Sequence, residues 1–167
     1  MIRLTSLLLV TFLLAGCGYK LGEIRPTPMR SVRTLAVPDF KNKTYQPRVE
    51  VLMADTLIKE LQMDGTYTIT SDNTADAILD CTLTKIEERS IRSVQNDVLA
   101  TAEFQMTLTV AFRVYDRVTG VTLMEGTVTG TTPFFSNNDL ETTKRQAIPL
   151  ATSNMAVQLT SRLSEGW

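Results

Sequence analysis

The chain has 167 residues and no histidine, which excludes Ser-His-Asp and Cys-His catalysis and most zinc sites. An apolar share of 43% and a charged share of 21% are typical of a globular domain with a substantial core. The formal net charge is −1, yet residues 20–48 are mainly basic and the remainder is net acidic. The basic stretch would suit anionic lipid head groups or a solvated linker, and the sequence leaves both open.

The N-terminus has the pattern of a secretory signal: Arg3, a short apolar run over residues 4–13, and small residues before Cys17. The run is too short to span a bilayer, which takes about 20 apolar residues. Leu14-Ala15-Gly16-Cys17 resembles the lipobox of bacterial lipoproteins. That resemblance implies a signal peptide over residues 1–16 and a covalent diacylglycerol and N-acyl chain on Cys17. An ordinary signal peptide with an incidental cysteine is the alternative.

Residues 17–31 follow as a lipidated N-terminus and tether, because Pro26 and Pro28 among charged and small residues favour an extended chain. A single domain is predicted over residues 32–167. Gly18, in place of Asp, suggests by analogy with lipoprotein sorting the inner, periplasm-facing leaflet of the outer membrane.

The domain opens with a short β-branched strand over residues 32–37, and the polar residues 39–44 resemble a turn. A helix is predicted from near Pro47 to the Asp64-Gly65 stop. The apolar stripe of this helix is expected at helical spacing, on Val51, Ala54, Leu57, Ile58 and Leu61. Residues 67–70 form a further short strand.

Three longer strands follow. Apolar residues alternate with polar ones from Ala77 to Leu83 and from Ala100 to Val114, so each strand has one buried and one solvated face. Residues 116–120 form a hairpin turn, and a threonine-rich strand returns over residues 121–132. A last helix begins near residues 136–139, and Pro149 is expected to kink or split it. Its apolar stripe is Ile148, Ala151, Met155, Leu159 and Leu163.

These elements predict an α+β fold in the order β-α-β-β-β-β-α, a two-layer sandwich. One mixed, largely antiparallel sheet is covered on one face by both helices. No phosphate-binding loop, CxxC or HExxH motif occurs, and Glu87 and Glu88 point to opposite faces of a strand. The sequence therefore predicts neither an enzyme nor a metal site. The carboxylates of Asp72, Asp76 and Asp80 are better explained by solvated turns and strand edges than by a cation.

Cys81 lies on the apolar face and is expected to behave as a small core side chain. Once Cys17 is lipidated, it is the only thiol, so no internal disulfide can form.

Two features could bind a partner or ligand. One is a threonine-rich strand face, which could dock on another β protein or could simply be solvated. The other is a set of basic residues suited to phosphates or sugar acids, although solvated surface charge explains any single one of them better. The candidate anion-binding residues are Lys85, Arg89, Arg92, Lys144 and Arg145. The threonines are Thr82, Thr84, Thr101, Thr107, Thr109, Thr127, Thr129 and Thr131.

Five features follow one another along the chain. They are the lipobox with Gly18 to Gly22, the strand over residues 32–37, the opening of a strand at residues 75–79, the Tyr115-Asp116 turn and the terminal helix. Together they resemble the lipopolysaccharide-assembly lipoproteins, the LptE-type family. Residues 35–44 are also similar to the opening of curli-secretion and cell-wall-synthase-activator lipoproteins, which supply the alternative function.

The LptE-type resemblance implies a non-catalytic lipoprotein without a cofactor. Its expected partners are an LptD-type outer-membrane β-barrel, which it plugs and helps to assemble, and lipopolysaccharide, which the barrel exports. The resemblance also implies lipopolysaccharide binding through basic residues, for which the five cations named above are the candidates. Lys20, where many members have His, and the long polar connection over residues 39–44 depart from the family pattern.

Overall fold

The structure is a computed structural model that describes residues 25–92, 102–136 and 140–166. The predicted signal peptide, Cys17 and residues 93–101 and 137–139 lie outside this description. Two helices and six strands follow a short 3-10 helix at Thr27–Met29. In chain order they are β1 (Thr34–Ala36), β2 (Lys41–Asn42), α1 (Val49–Asp64), β3 (Thr68–Ile69), β4 (Ala77–Arg92), β5 (Ala102–Asp116), β6 (Thr122–Ser136) and α2 (Leu140–Ser164).

All six strands join one mixed sheet in the order β3-β1-β4-β5-β6, with β2 also beside β4. The pairs β1–β3, β1–β4 and β2–β4 are parallel, and the long strands β4, β5 and β6 form an antiparallel meander. Both helices pack on one face of this sheet and enclose a single core. The predicted α+β two-layer fold is therefore confirmed.

The strand β2 differs from the sequence-based expectation of a turn over residues 39–44. Lys41 and Asn42 pair with Thr82 and Leu83, and the amide of Lys43 donates to the Leu83 carbonyl at 2.9 Å. Two polar residues carry no alternation that a sequence pattern could reveal. Their strand conformation comes from pairing with the edge of β4.

The helix α1 ends as predicted, but its buried face is rotated. Gly65 has φ 73 and its amide donates to the Leu61 carbonyl, a left-handed cap that glycine adopts without strain. Val51, predicted to be buried, is 51% exposed, whereas Met53 is fully buried. At 100° per residue Val51 lies about 120° round the helix axis from Leu57, outside the stripe that meets the core.

The helix α2 runs without a break through Pro149, so the expected split near residue 148 does not occur. Proline removes one backbone hydrogen bond, but Ile148 and Ala151 on either side of it are buried in the core. All five residues of the predicted apolar stripe of this helix are buried. Tertiary packing thus keeps the helix continuous through the proline.

The residues just before the predicted domain are packed onto it. Met29 is fully buried, and its amide donates to the Pro26 carbonyl at 2.8 Å. The Arg25 guanidinium donates to the Val32 carbonyl at 2.7 Å and lies over the Tyr67 ring. The part of the tether from Arg25 onward therefore belongs to the packed domain.

Candidate binding surface on the bare sheet face

The long strands expose one face of the sheet. Alternate residues of β4 and β5, such as Leu79, Leu83, Leu108 and Val110, are fully buried beneath the helices. Among the described residues, no helix or loop packs on the opposite face, whose side chains are exposed or half-buried. We call this opposite surface of β4, β5 and β6 the bare face.

Threonines dominate the centre of the bare face, as the alternation predicted. Thr107 lies opposite Thr131, and Thr109 lies opposite Thr129. Thr82 and Thr127 flank Ala111 from the two sides. Thr101 lies outside the described residues. The result is an uncharged hydroxyl surface, in which short side chains leave the backbone close to any partner.

A β-bulge at Thr84 decides which residues of β4 reach the bare face. Leu83 pairs with Val110, Thr84 is skipped, and Lys85 pairs with Thr109. The Thr84 hydroxyl donates to the Thr109 carbonyl at 3.0 Å. If Thr84 paired with Thr109 in a regular ladder, Lys85 would share the buried face of Leu83, because side chains alternate strictly along a strand.

The bulge puts two of the predicted cations on the bare face. Lys85, Glu87 and Arg89 pair with Thr109, Thr107 and Gln105, so they extend the threonine surface as one charged row. The Lys85 ammonium lies 2.7 Å from Glu87, and Arg89 is exposed. Arg92 lies at the end of the same strand, where it pairs with Glu103.

The structure places Lys144 on the other side of the sheet. Glu88 pairs with Met106 on the helix-covered face, and the Lys144 ammonium lies 2.9 Å from Glu88 and 3.2 Å from Glu141. The hydrogen bond that Lys144 donates to Glu88 raises the pKa of Lys144, so the lysine is charged and already paired. Arg145 is exposed on α2. The five candidate cations therefore do not form one cluster.

Sequence reasoning missed a cleft beside Lys85. The loop after β2 lies beside the bulge, and together they border an open cleft of about 380 Å³. Lys43 and Lys85 both line it, together with Tyr45, whose side chain is fully exposed. No local sequence pattern predicts this cleft, because only the pairing of β2 with β4 brings Lys43 next to Lys85.

The acidic residues near the start of β4 have structural roles. The Asp76 carboxylate accepts the amides of Arg33 at 2.9 Å and Thr34 at 2.8 Å, and these bonds lower its pKa. Asp80 pairs with Lys41 at 3.4 Å. Within the described ranges, no group of three or more histidine, cysteine or acidic side chains could hold a metal ion.

Cys81 is buried on the helix-covered face, and burial raises the pKa of its thiol. A buried, protonated thiol is a poor nucleophile. The described residues also contain no helix that is both long and apolar enough to cross a membrane.

A second feature that the sequence did not reveal is the edge of β6. The Thr131 amide donates to the Asn154 side chain at 3.0 Å, and Arg162 donates to the Thr127 carbonyl at 2.9 Å. Between these contacts lies a cavity of about 280 Å³, lined by Thr129 and Gln158 among others. Pro133 in this strand was the available signal, because a strand proline favours an edge.

Comparisons with solved structures show the fold alone. A minor lipoprotein from Acinetobacter baumannii is 15% identical, with a TM-score of 0.54, over 80% of this chain and 94% of that one. A neuraminyllactose-binding hemagglutinin homologue from Helicobacter pylori is 12% identical, with a TM-score of 0.56, over 87% and 91%. No curated protein sequence matches this chain.

A family model described as LptE, lipopolysaccharide-assembly, matches residues 32–163. The match begins at Val32, two residues before β1, and ends at Leu163 in the last turn of α2. It therefore includes the whole sheet, all of α1 and all of α2 except Ser164. It covers most of the chain and agrees with the resemblance carried by the sequence motifs. The chain therefore belongs to the LptE family of lipopolysaccharide-assembly proteins.

Proposed function

We propose that this protein is a non-catalytic outer-membrane lipoprotein that plugs an LptD-type β-barrel and assists assembly and export of lipopolysaccharide. The observation that carries the proposal is the pairing of family membership with a bare, threonine-lined sheet face. A sheet with one face packed and one face polar fits the solvated lumen of a large barrel, because hydroxyls exchange hydrogen bonds with water or with the wall at little cost.

Cysteine lipidation supplies the anchor in this proposal. The diacylglycerol and N-acyl chain on Cys17 hold the domain at the periplasmic leaflet, since each buried methylene contributes about 0.8 kcal/mol. Arg25, the first described residue, lies only eight residues beyond Cys17. The domain therefore works within a few nanometres of the membrane surface, which is where a barrel plug has to be.

The glycolipid contacts follow from chemistry on the bare face and at its margin. Lys85, Arg89 and Arg92 lie along the distal half of β4, and the cleft beside Lys85 adds Lys43 and the exposed ring of Tyr45. Ammonium and guanidinium groups bind phosphates, and an exposed aromatic ring packs against sugars or aliphatic chains. Lys144 lies on the other side of the sheet between Glu88 and Glu141, away from this surface.

Affinity purification of the full-length lipidated protein from its native membrane in mild detergent tests the partner. We expect a large outer-membrane β-barrel at one copy per copy of this chain, identified by mass. A ring of self-copies would favour the curli-type alternative, and a cell-wall synthase without a barrel would favour the activator alternative. Either result would overturn the proposal.

Binding of purified lipopolysaccharide to the full-length protein tests the cationic site. Replacing Lys43 and Lys85 together by alanine should weaken binding about tenfold or more, because each removes a charge-assisted bond to phosphate. Lys59→Ala on the exposed side of α1 is the matched control and should leave binding unchanged. Equal effects of both variants would show that only general charge attraction is measured.

A further inference from the structure

The two helices of this fold have different outer surfaces. The exposed side of α1 carries charges such as Asp55 and Lys59, as helices facing water usually do. On α2, no charged residue occurs between Arg145 and Arg162. The exposed residues of that stretch are Gln146, Pro149, Leu150, Ser153, Asn154, Val157 and Gln158.

Two aliphatic side chains lie in the middle of this uncharged surface. Leu150 is 60% exposed and Val157 is 46% exposed, whereas other apolar residues of the same helix, spaced three or four apart, are buried in the core. They are two turns apart on the side of α2 that faces away from the sheet. An isolated exposed aliphatic residue needs no explanation, but two in line on a charge-free helix form an apolar ridge.

The adjoining edge of β6 continues the same character apart from Arg162, which lines the cavity at this edge and donates to the Thr127 carbonyl. Its edge-facing residues include Thr127, Thr129 and Thr131, and no charge occurs from Gly126 to Asn138. The Thr131 amide and the Thr127 carbonyl, which face this edge, are hydrogen-bonded to side chains of α2. Thr129 lies between them and lines the cavity of about 280 Å³. The cavity has the size and polarity to take one side chain of a partner.

We propose that the outer face of α2 and the edge of β6 form the surface that contacts the wall of the barrel partner. Charged residues are depleted at the centres of protein interfaces, because removing a charge from water is expensive. The contacting wall is itself uncharged and rich in hydroxyl and amide groups, with a small apolar patch opposite Leu150 and Val157. Hydrocarbon is a poor occupant, since Asn154 and Gln158 would lose their hydrogen bonds to water.

This inference rests on the proposed function, and it separates the roles of two surfaces. The outer face of α2 and the edge of β6 hold the wall, whereas the bare face with Lys85 and Arg89 remains open to the lumen and to the passing glycolipid. The sheet lies between α2 and the bare face, so both surfaces can be occupied at once.

Site-specific photo-crosslinking in native membranes tests the contact, with the full-length lipidated protein carrying p-benzoylphenylalanine at one position. We expect Leu150 and Val157 to crosslink to the barrel protein and Val51 on α1 not to do so. Val51 is a matched control, because it is 51% exposed on the charged helix. Crosslinks from α2 to a second copy of the chain or to lipid alone would overturn the inference.

Charge insertion gives an independent readout. Leu150→Glu and Val157→Glu should reduce the barrel recovered with the protein by about tenfold, whereas Val51→Glu should leave recovery unchanged. All three positions are exposed, and thermal unfolding of each variant checks that the fold is intact. If the wild-type protein recovers the barrel and all three variants do too, the inference fails and the proposed function stands. If the wild-type protein recovers no barrel, both fail.

Discussion

At the scale of single residues, Gly130 sets how closely α2 approaches the sheet. A Cβ at this position would overlap the Ala151 carbonyl oxygen and lie 2.5 Å from the Met155 Cβ and 2.8 Å from its amide nitrogen. Two of these three atoms belong to the helix backbone and cannot move without moving the helix. The glycine is therefore a packing requirement, and it brings α2 against β6 where Asn154 and Arg162 reach the strand edge.

Gly130→Ala should destabilise the domain by about 2–4 kcal/mol, because relief of the overlap forces α2 away from β6. Chemical denaturation monitored by circular dichroism measures the change in the free energy of unfolding. Gly126→Ala is the matched control in the same strand. Its Cβ would meet only the Phe112 ring, at 3.2 Å, so its cost should be clearly smaller. Equal costs would show that the loss of any glycine from this strand is destabilising and that the contact with α2 is not the cause.

At the scale of elements, the bulge in β4 determines the chemistry of the bare face. It turns Lys85, Glu87 and Arg89 outward and leaves Ile86 half-buried against the core. The bulge lies next to the last residue that pairs with β2, where β4 loses its parallel neighbour. Up to the bulge β4 is therefore paired on both sides, whereas beyond the bulge it has one open edge and carries the charged row.

Deletion of Thr84 should cost little, within about 1 kcal/mol, because Lys85 then pairs with Thr109 in a regular ladder and every later residue keeps its face. Deletion of Ile86 is the matched control. The chain can absorb it only by placing Lys85 opposite Leu108 on the helix-covered face, which should cost about 2–3 kcal/mol. Denaturation midpoints of the two deletions test this. Equal losses would mean that the bulge itself holds the strand in register.

At the scale of the whole molecule, Cys81 reports on both the core and the anchor. Its thiol is 2% exposed at the centre of the sheet, so a thiol reagent can reach it only when the domain unfolds. Cys17 carries no free thiol if it is lipidated as proposed. The number of thiols that react before and after unfolding therefore separates folding from lipid attachment.

Full-length protein purified from membranes should show no reactive thiol in native conditions and one in denaturant. Ellman's reagent measures both, and Cys81→Ser should abolish the signal altogether. Two thiols in denaturant would contradict lipidation of Cys17. A rapidly reacting thiol in the native protein that Cys81→Ser removes would contradict the buried position of Cys81.

Periodicity carried most of the fold prediction. The alternation over residues 102–114 and the stripe from Ile148 to Leu163 are long, regular patterns, and the structure buries the residues that they select. Short elements were harder to predict, because β2 has only two residues and α1 combines a buried Met53 with an exposed Val51. In such cases the neighbouring element decides the conformation or the buried face, and the local sequence carries no trace of it.

The candidate site was predictable in its residue types but not in its arrangement. Lys85 and Arg89 were expected on one face, as alternation along a strand requires, and the bulge at Thr84 puts that face on the bare side of the sheet. Lys144 belongs to the opposite side of the sheet, where Glu88 neutralises it. Lys43 approaches Lys85 only because β2 pairs with β4. Chain distance is a poor guide to such contacts.

By itself, the sequence determined the class of this protein: an α+β domain without histidine chemistry, behind a lipobox-like start. The predicted order of five strands and two helices lacks β2 among the elements of the described residues. Local patterns can do this, because burial imposes periods of 2 and about 3.6 residues on strands and helices. Tertiary structure alone decided which cations share a surface and which of the uncharged residues of α2 face the solvent. Those outcomes depend on strand register and on helix–sheet contacts between residues far apart in the chain, which no local pattern encodes.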